Sequence, residues 1–124
     1  MQRPREIREA AEGRGRQAEA RAAAALEAEG WTVLARRVRT GAGEIDLVAE
    51  RAGLLAFVEV KARPTLAEAA FALRPAQRRR LVGAAGAWLA AHPGRGAAGI
   101  RFDVLLVDGA GQVRRIADAF RPEE

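Results

Sequence analysis

The run Gly43-Glu44-Ile45-Asp46-Leu47-Val48-Ala49, the turn Arg51-Ala52-Gly53 and the run Leu54-Leu55-Ala56-Phe57-Val58-Glu59-Val60-Lys61 decide the fold. Each run is rich in residues that suit a pleated, half-buried surface, and a glycine-containing turn joins them. Together they read as an antiparallel β-hairpin. Successive side chains along a strand point to opposite faces, which puts Glu44 and Asp46 on one face and Ile45 and Leu47 on the other. The same rule groups Glu59 with Lys61, and Val58 with Val60. Paired strands lie about 4.8 Å apart, so two carboxylates and an ammonium are expected to meet on one face of the sheet. The apolar flanks mark these strands as central, where uncompensated charge is costly.

Upstream, the alanine-rich stretch from about Glu6 to Glu29, with Arg and Glu interspersed, reads as helix and is stopped by Gly30. Gly13 and Gly15 are expected to divide it, with residues 1–14 frayed. The ordered part then begins near Gly15 and offers Ala18, Ala22, Ala25, Leu26 and Ala28 as a narrow apolar face. Trp31 to Ala35 reads as a strand leading through Arg36, Arg37 and Arg39 to a turn at Gly41 and Gly43. Downstream, Pro64 ends the hairpin's second strand, and 65–74 reads as a linker with a helical turn around Leu66 to Ala70. Pro75 opens a second long helix through Gln77, Leu81, Ala84, Ala85, Trp88 and Leu89, closed by His92-Pro93-Gly94. Ile100 to Val107 and Gln112 to Ala117 read as two final strands. The expected order α-β-β-β-α-β-β, in one domain over residues 1–124, is an α/β sandwich: a central mixed sheet flanked by helices.

At 124 residues the chain can bury one core and little more. It has no cysteine and a single histidine, His92, which excludes disulfides, thiolate metal sites and histidine-rich zinc clusters. Any metal must be held mainly by oxygen. No apolar run is long enough to span a bilayer and the charged amino terminus has no apolar segment behind it, so no membrane partner and a cytoplasmic location are expected. A net charge of +5 suits a polyanion, nucleic acid before any membrane surface, although an arginine-rich composition alone also accounts for it. Of the 21 Lys and Arg residues only Lys61 is a lysine, which suggests that a compact ammonium, able to donate or lose a proton, is needed there.

Two readings of the charged hairpin stand on spacing alone. One is an exposed Glu59–Lys61 salt bridge on an edge strand. The other is a divalent-cation site, in which Asp46 and Glu59 ligate Mg2+ (or Mn2+), the carbonyl of Val60 adds a ligand, and water and phosphate fill the rest. The ion then activates water and offsets charge in the transition state of phosphodiester hydrolysis, while Lys61 positions or deprotonates the attacking water.

An Asp, a short hairpin and then Glu-x-Lys resembles the signature of the restriction-endonuclease-like, or PD-(D/E)xK, nucleases. The longer set Gly43 to Ala49, Phe57-Val58-Glu59-Val60-Lys61-Ala62-Arg63, Arg101-Phe102-Asp103-Val104 and Ala119-Phe120 is similar to the YraN-like family of small bacterial proteins, related in fold to Holliday-junction resolvases. That resemblance covers most of the chain from about Gly15 to Phe120. It implies a restriction-endonuclease-like αβββαβ core, a metal site at Asp46 and Glu59, a catalytic Lys61 and an acidic first-helix residue, matched by Glu19, facing the site. Glu44, beside Asp46, can orient water or an arginine, or be a solvent-facing strand end. The chain departs from the family at Gln77, where a lysine is usual. The implied activity is metal-dependent endonuclease action on DNA, branched or distorted DNA included; the alternative is a nucleic-acid-binding module whose site has decayed.

Arg36, Arg37 and Arg39 before the hairpin, and Arg78, Arg79 and Arg80 on the second helix, are expected to grip phosphates flanking the cut, which fixes register without reading bases. Resolvase-like enzymes make paired cuts, so a homodimer is expected by analogy. Trp31 and Trp88 lie in apolar segments and are expected in the core rather than against bases, and Asp103 is expected to be structural, paired with Arg101 or a helix-borne arginine.

Overall fold

The structure, a computed structural model, describes residues 4–65 and 74–122, with side chains from residue 15 onward. The helical turn expected around Leu66 to Ala70 lies outside the described residues. The elements are α1 (Pro4–Ala28), β1 (Thr32–Thr40), β2 (Gly43–Arg51), β3 (Leu54–Ala62), α2 (Pro75–Ala91), β4 (Ile100–Val107) and β5 (Val113–Phe120). This is the expected order, consistent with a restriction-endonuclease-like fold. The five strands form one mixed sheet in the order β1-β2-β3-β4-β5. β3 and β4 are parallel, joined by the crossover through α2, and every other neighbouring pair is antiparallel.

Each face of the sheet is covered by one helix. On the first, Ala22, Ala23 and Leu26 of α1 pack with Trp31 on Leu47, Ala49, Ala56, Val58 and Leu105. On the second, Leu81, Ala84, Ala85 and Trp88 of α2 pack on Ile45, Val48, Leu55, Phe57, Phe102 and Phe120. β3 thus alternates strictly, Leu55 and Phe57 toward α2, Ala56 and Val58 toward α1, as a strand buried on both faces must. Both tryptophans are core residues, Trp88 meeting Phe57 edge-on at 5.8 Å between centroids.

Two expectations for α1 are corrected. The helix runs unbroken through Gly13 and Gly15. Each glycine costs about 1 kcal/mol relative to alanine, which a helix otherwise made mostly of strong helix formers tolerates. Its buried stripe is Ala18, Ala22, Ala23 and Leu26, whereas Ala25 is half-buried and Ala28 exposed. Small side chains on that stripe let the helix axis approach the sheet. β5 also reaches Phe120, past the expected end at Ala117, because a register shift between Phe102 and Val104 lets Phe120 pair and stack with Phe102 at 5.0 Å.

The face assignment in β2 is corrected as well. Ile45 belongs to the α2-side cluster and Leu47 to the α1-side cluster, so these two residues do not share a face. The β2–β3 ladder explains this: it runs from Arg51↔Leu54 to Leu47↔Val58 and stops there. Past Leu47, β2 twists away from β3. Across from that twist on β1, between the pairs Arg36↔Leu47 and Val38↔Ile45, Arg37 adopts a left-handed conformation with φ of 51°. That conformation costs a non-glycine residue about 1 kcal/mol or more.

Candidate functional site

Where the β2–β3 ladder ends, a side chain takes over from the main chain. The N–H of Val60 donates to Oδ2 of Asp46 at 2.7 Å, holding the carboxylate against β3. The N–H and C=O of one strand residue face the same edge, so the Val60 carbonyl also faces β2. Glu59 and Lys61, flanking Val60, form an ion pair at 3.2 Å with side chains only 20% and 13% exposed. The salt bridge read from spacing therefore exists, but it lies on a central strand and is mostly screened from water. Asp46 and Glu59 line one cleft of about 260 Å³ together with Glu44, Gln77 and Arg80.

Electrostatics make this cleft a poor home for two bare carboxylates. Burial, then the neighbouring charge of Glu59 and, more weakly, that of Glu19, push the Asp46 carboxyl up to about 7, against the opposing pull of the Val60 N–H and Lys61. Among the described residues no group of three or more His, Cys, Asp and Glu side chains is gathered closely enough to cage a metal. The available donors are two carboxylates, one carbonyl and room for water.

Gly43 brings the second wall into place. A Cβ there would lie 3.0 Å from the carbonyl oxygen of Arg80, and φ is 153°, so only glycine lets the start of β2 slide beneath α2. Sequence reading saw Gly43 as part of a turn; its contact with α2 is long-range and left no local signal. Gln77 does line the cleft, but its Oε1 accepts the N–H of Arg74 at 3.1 Å and so caps the start of α2.

Glu19 comes near from the other side. It borders a second cleft, about 280 Å³, whose walls also include Asp46, Glu44, Arg16, Arg37 and Arg39. The guanidinium of Arg37 donates to Glu19 at 2.8 Å, a pairing 18 residues apart that no local pattern encodes. Arg36 and Arg39 likewise face acids, Glu27 at 3.6 Å and Glu44 at 3.3 Å. The other basic group spreads as a helix dictates: Arg78 lies over the Phe120 ring, Arg79 borders the groove beside Arg121, and Arg80 borders the Asp46–Glu59 cleft. Among the described residues none of Arg78, Arg79 and Arg80 forms an ion pair. Asp103 is wholly buried and gripped by Nε and one Nη of Arg101, as expected of a structural residue.

The model of the uncharacterised protein family UPF0102 matches residues 18–107, which include Glu19, Asp46, Glu59, Lys61 and Gln77. A UPF0102 protein of Granulibacter bethesdensis is 64% identical over 110 residues, covering 89% of this chain and 70% of its own. One from Bradyrhizobium sp. (strain ORS 278) is 52% identical over 106 residues, 86% of this chain and 75% of its own. One from Azorhizobium caulinodans is 50% identical over 119 residues, 96% of this chain and 91% of its own.

Proposed function

Because this chain belongs to the uncharacterised protein family UPF0102, the YraN-like family, whose description assigns no activity, we propose its function from the site: a divalent-metal-dependent endonuclease that hydrolyses phosphodiester bonds in DNA, branched or distorted DNA above all. One observation carries this reading. Asp46 and Glu59 share a cleft at the point where two central strands part, with Lys61 3.2 Å from Glu59. The donor set fits a hard cation, since two carboxylates and a strand carbonyl are all oxygen, and a divalent ion would offset the burial and the repulsion that raise Asp46. Mg2+ or Mn2+ held there by Asp46, Glu59 and the Val60 carbonyl would lower the pKa of a water and offset charge growing on the phosphate.

The chain's own groups do the rest. Asp46, tied to the Val60 N–H, and Glu59, tied to Lys61, present oxygens whose positions are set before substrate arrives. Lys61 orients the attacking water through its N–H donors, or, as a neutral amine that has first given up a proton to solvent, accepts the proton of that water. Glu19, steadied by Arg37, is a further acidic group near the site, and Arg80 in the cleft wall faces a phosphate oxygen. Paired cuts on a junction call for two such chains, acting as a homodimer in the cytoplasm. Among the described residues no helix is long and apolar enough to cross a membrane.

The test is a cleavage panel of duplex, flap, junction and RNA substrates with Mg2+ or Mn2+. Branched DNA is expected to be cut only with metal, and Lys61→Ala and Asp46→Ala each to lose about 100-fold or more. Full activity in either variant removes the proposal. A second reading, a binding module with a decayed site, draws on Gln77, whose side-chain oxygen is committed to the α2 cap. It expects binding that weakens steeply with salt and no metal-dependent turnover.

A further inference from the structure

Away from the acidic cleft, a cavity of about 380 Å³ opens between α1, the ends of β3 and β4, and the turn 108–111. It sits at the carboxyl ends of the parallel pair, where Ala62 lies beside Val107. This is the position at which open α/β sheets tend to receive ligands. Arg21 and Arg63 border it, and among the described residues neither pairs with an acid. Asp108 also borders it, but its Oδ1 accepts the N–H groups of Ala110 and Gln112 at 2.9 and 2.8 Å, so that carboxylate is turned into its own turn. One Nη of Arg63 donates to the carbonyl of Ala62 at 2.6 Å, and the charge of the cavity that no acid meets is positive.

Gly111 seats one of the two cations. It has φ of 83°, and a Cβ there would fall 2.5 Å from the Arg21 guanidinium, so any side chain would displace that arginine. Ala18, Ala62, Pro64 and Val107 give the remaining walls a largely apolar surface, with Gln17 as a neutral polar group. A volume at the lower end of the range for small-ligand sites, with two cations over apolar walls, matches one nucleotide and is too small for a helix. The cavity shares Ala18, Ala62 and Arg63 with the cleft that holds Lys61 and Glu19, so the two are neighbours.

We propose that this cavity receives an unpaired nucleotide of the DNA strand engaged at the Asp46–Glu59 site, its phosphate met by Arg21 and Arg63. The proposal rests on the nucleic-acid reading above and narrows it. A base that enters a cavity has left its stack, so the substrate carries unpaired nucleotides beside the cut, as flaps, gaps and junctions do. Duplex DNA gains nothing from the cavity.

The test is binding without metal, so that no cleavage intervenes: fluorescence anisotropy of a labelled oligothymidylate and of a blunt duplex of equal length. In the Arg21→Ala/Arg63→Ala double variant, affinity for the oligomer is expected to fall about tenfold or more and that for the duplex less than about threefold. Ala110→Glu, on the exposed turn, should reproduce the selective loss by setting a negative charge at the cavity, and Arg21→Lys/Arg63→Lys should restore much of it. Unchanged oligomer affinity in both the alanine and glutamate variants, or equal losses on both nucleic acids, overturns the cavity's role while leaving the nuclease reading intact. A wild-type chain that binds neither probe overturns both. Thymidine monophosphate competing as strongly as the oligomer reassigns the cavity to free nucleotides and also overturns the proposal.

Discussion

Asp103 on β4 and Asp46 on β2 lie in the same sheet and are supplied with partners very differently. The two oxygens of Asp103 accept from Nε and one Nη of Arg101 and from the N–H of Asp118, each at 2.9 Å. In that corner every charge has its complement, and the carboxylate pins the bulged end of β5, where Asp118 stands at φ of 52°. Among the described residues the hydrogen bond to the Asp46 carboxylate comes from one N–H, while its surroundings include Glu59 and Glu19. One aspartate closes a structure; the other leaves negative charge facing a cleft. Residue type does not separate a structural pin from a carboxylate left facing a cleft. The supply of donors does.

The strongest challenge to this contrast is Asp103→Ala. It strips a partly buried guanidinium of its carboxylate and frees the bulge, and a loss of about 3–5 kcal/mol in urea denaturation is expected. A cost below about 1 kcal/mol would mean that the corner is no pin.

Asp46→Asn should behave in the opposite sense. It keeps an acceptor for Val60 and removes the repulsion with Glu59, so stability at pH 8 should rise, on the order of 1 kcal/mol, while metal-dependent cleavage disappears. A clear fall in stability would place Asp46 beside Asp103 as a structural group.

The pH dependence sharpens the same point. With its carboxyl at about 7 rather than 3.8, folded Asp46 keeps a proton that the unfolded chain gives up. This contribution to stability is therefore complete below pH 4 and is lost as pH rises toward and through 7. The difference in thermal midpoint between wild type and Asp46→Asn should follow that course without metal. Mg2+ at pH 8 should restore the wild type and leave the variant unmoved; an equal response from both would detach the ion from Asp46.

The smallest effect concerns Gln77, which borders the Asp46 cleft but bonds to the α2 backbone. Gln77→Ala should cost about 0.5 kcal/mol of stability and leave the Mg2+ midpoint shift intact. A lost shift would move Gln77 from the helix cap to the metal site.

Much of this was written locally. The alternating apolar pattern and the Ala52-Gly53 turn specify the hairpin, and both turn residues do take positive φ, 51° and 80°. Pro75 and the His92-Pro93-Gly94 stop bound α2 as read. The pairing of Arg101 with Asp103, two residues apart on one strand, could be anticipated for the same reason. The errors arose where distance in sequence hid proximity in space. Strict alternation placed Ile45 with Leu47, yet the end of the β2–β3 ladder depends on α2 packing over Gly43 and on a twisted β1 edge. The ion pairs of Arg36 with Glu27 and of Arg37 with Glu19 left no local signal, because both acids lie on α1.

Sequence by itself determined the element order and the hairpin, because these follow from periodicity and turn chemistry. Only the tertiary structure decided where the ladder opens, which acids stay uncompensated and which arginines face a cavity. Those outcomes depend on packing between segments far apart in the chain, where burial and the distance between charges are set.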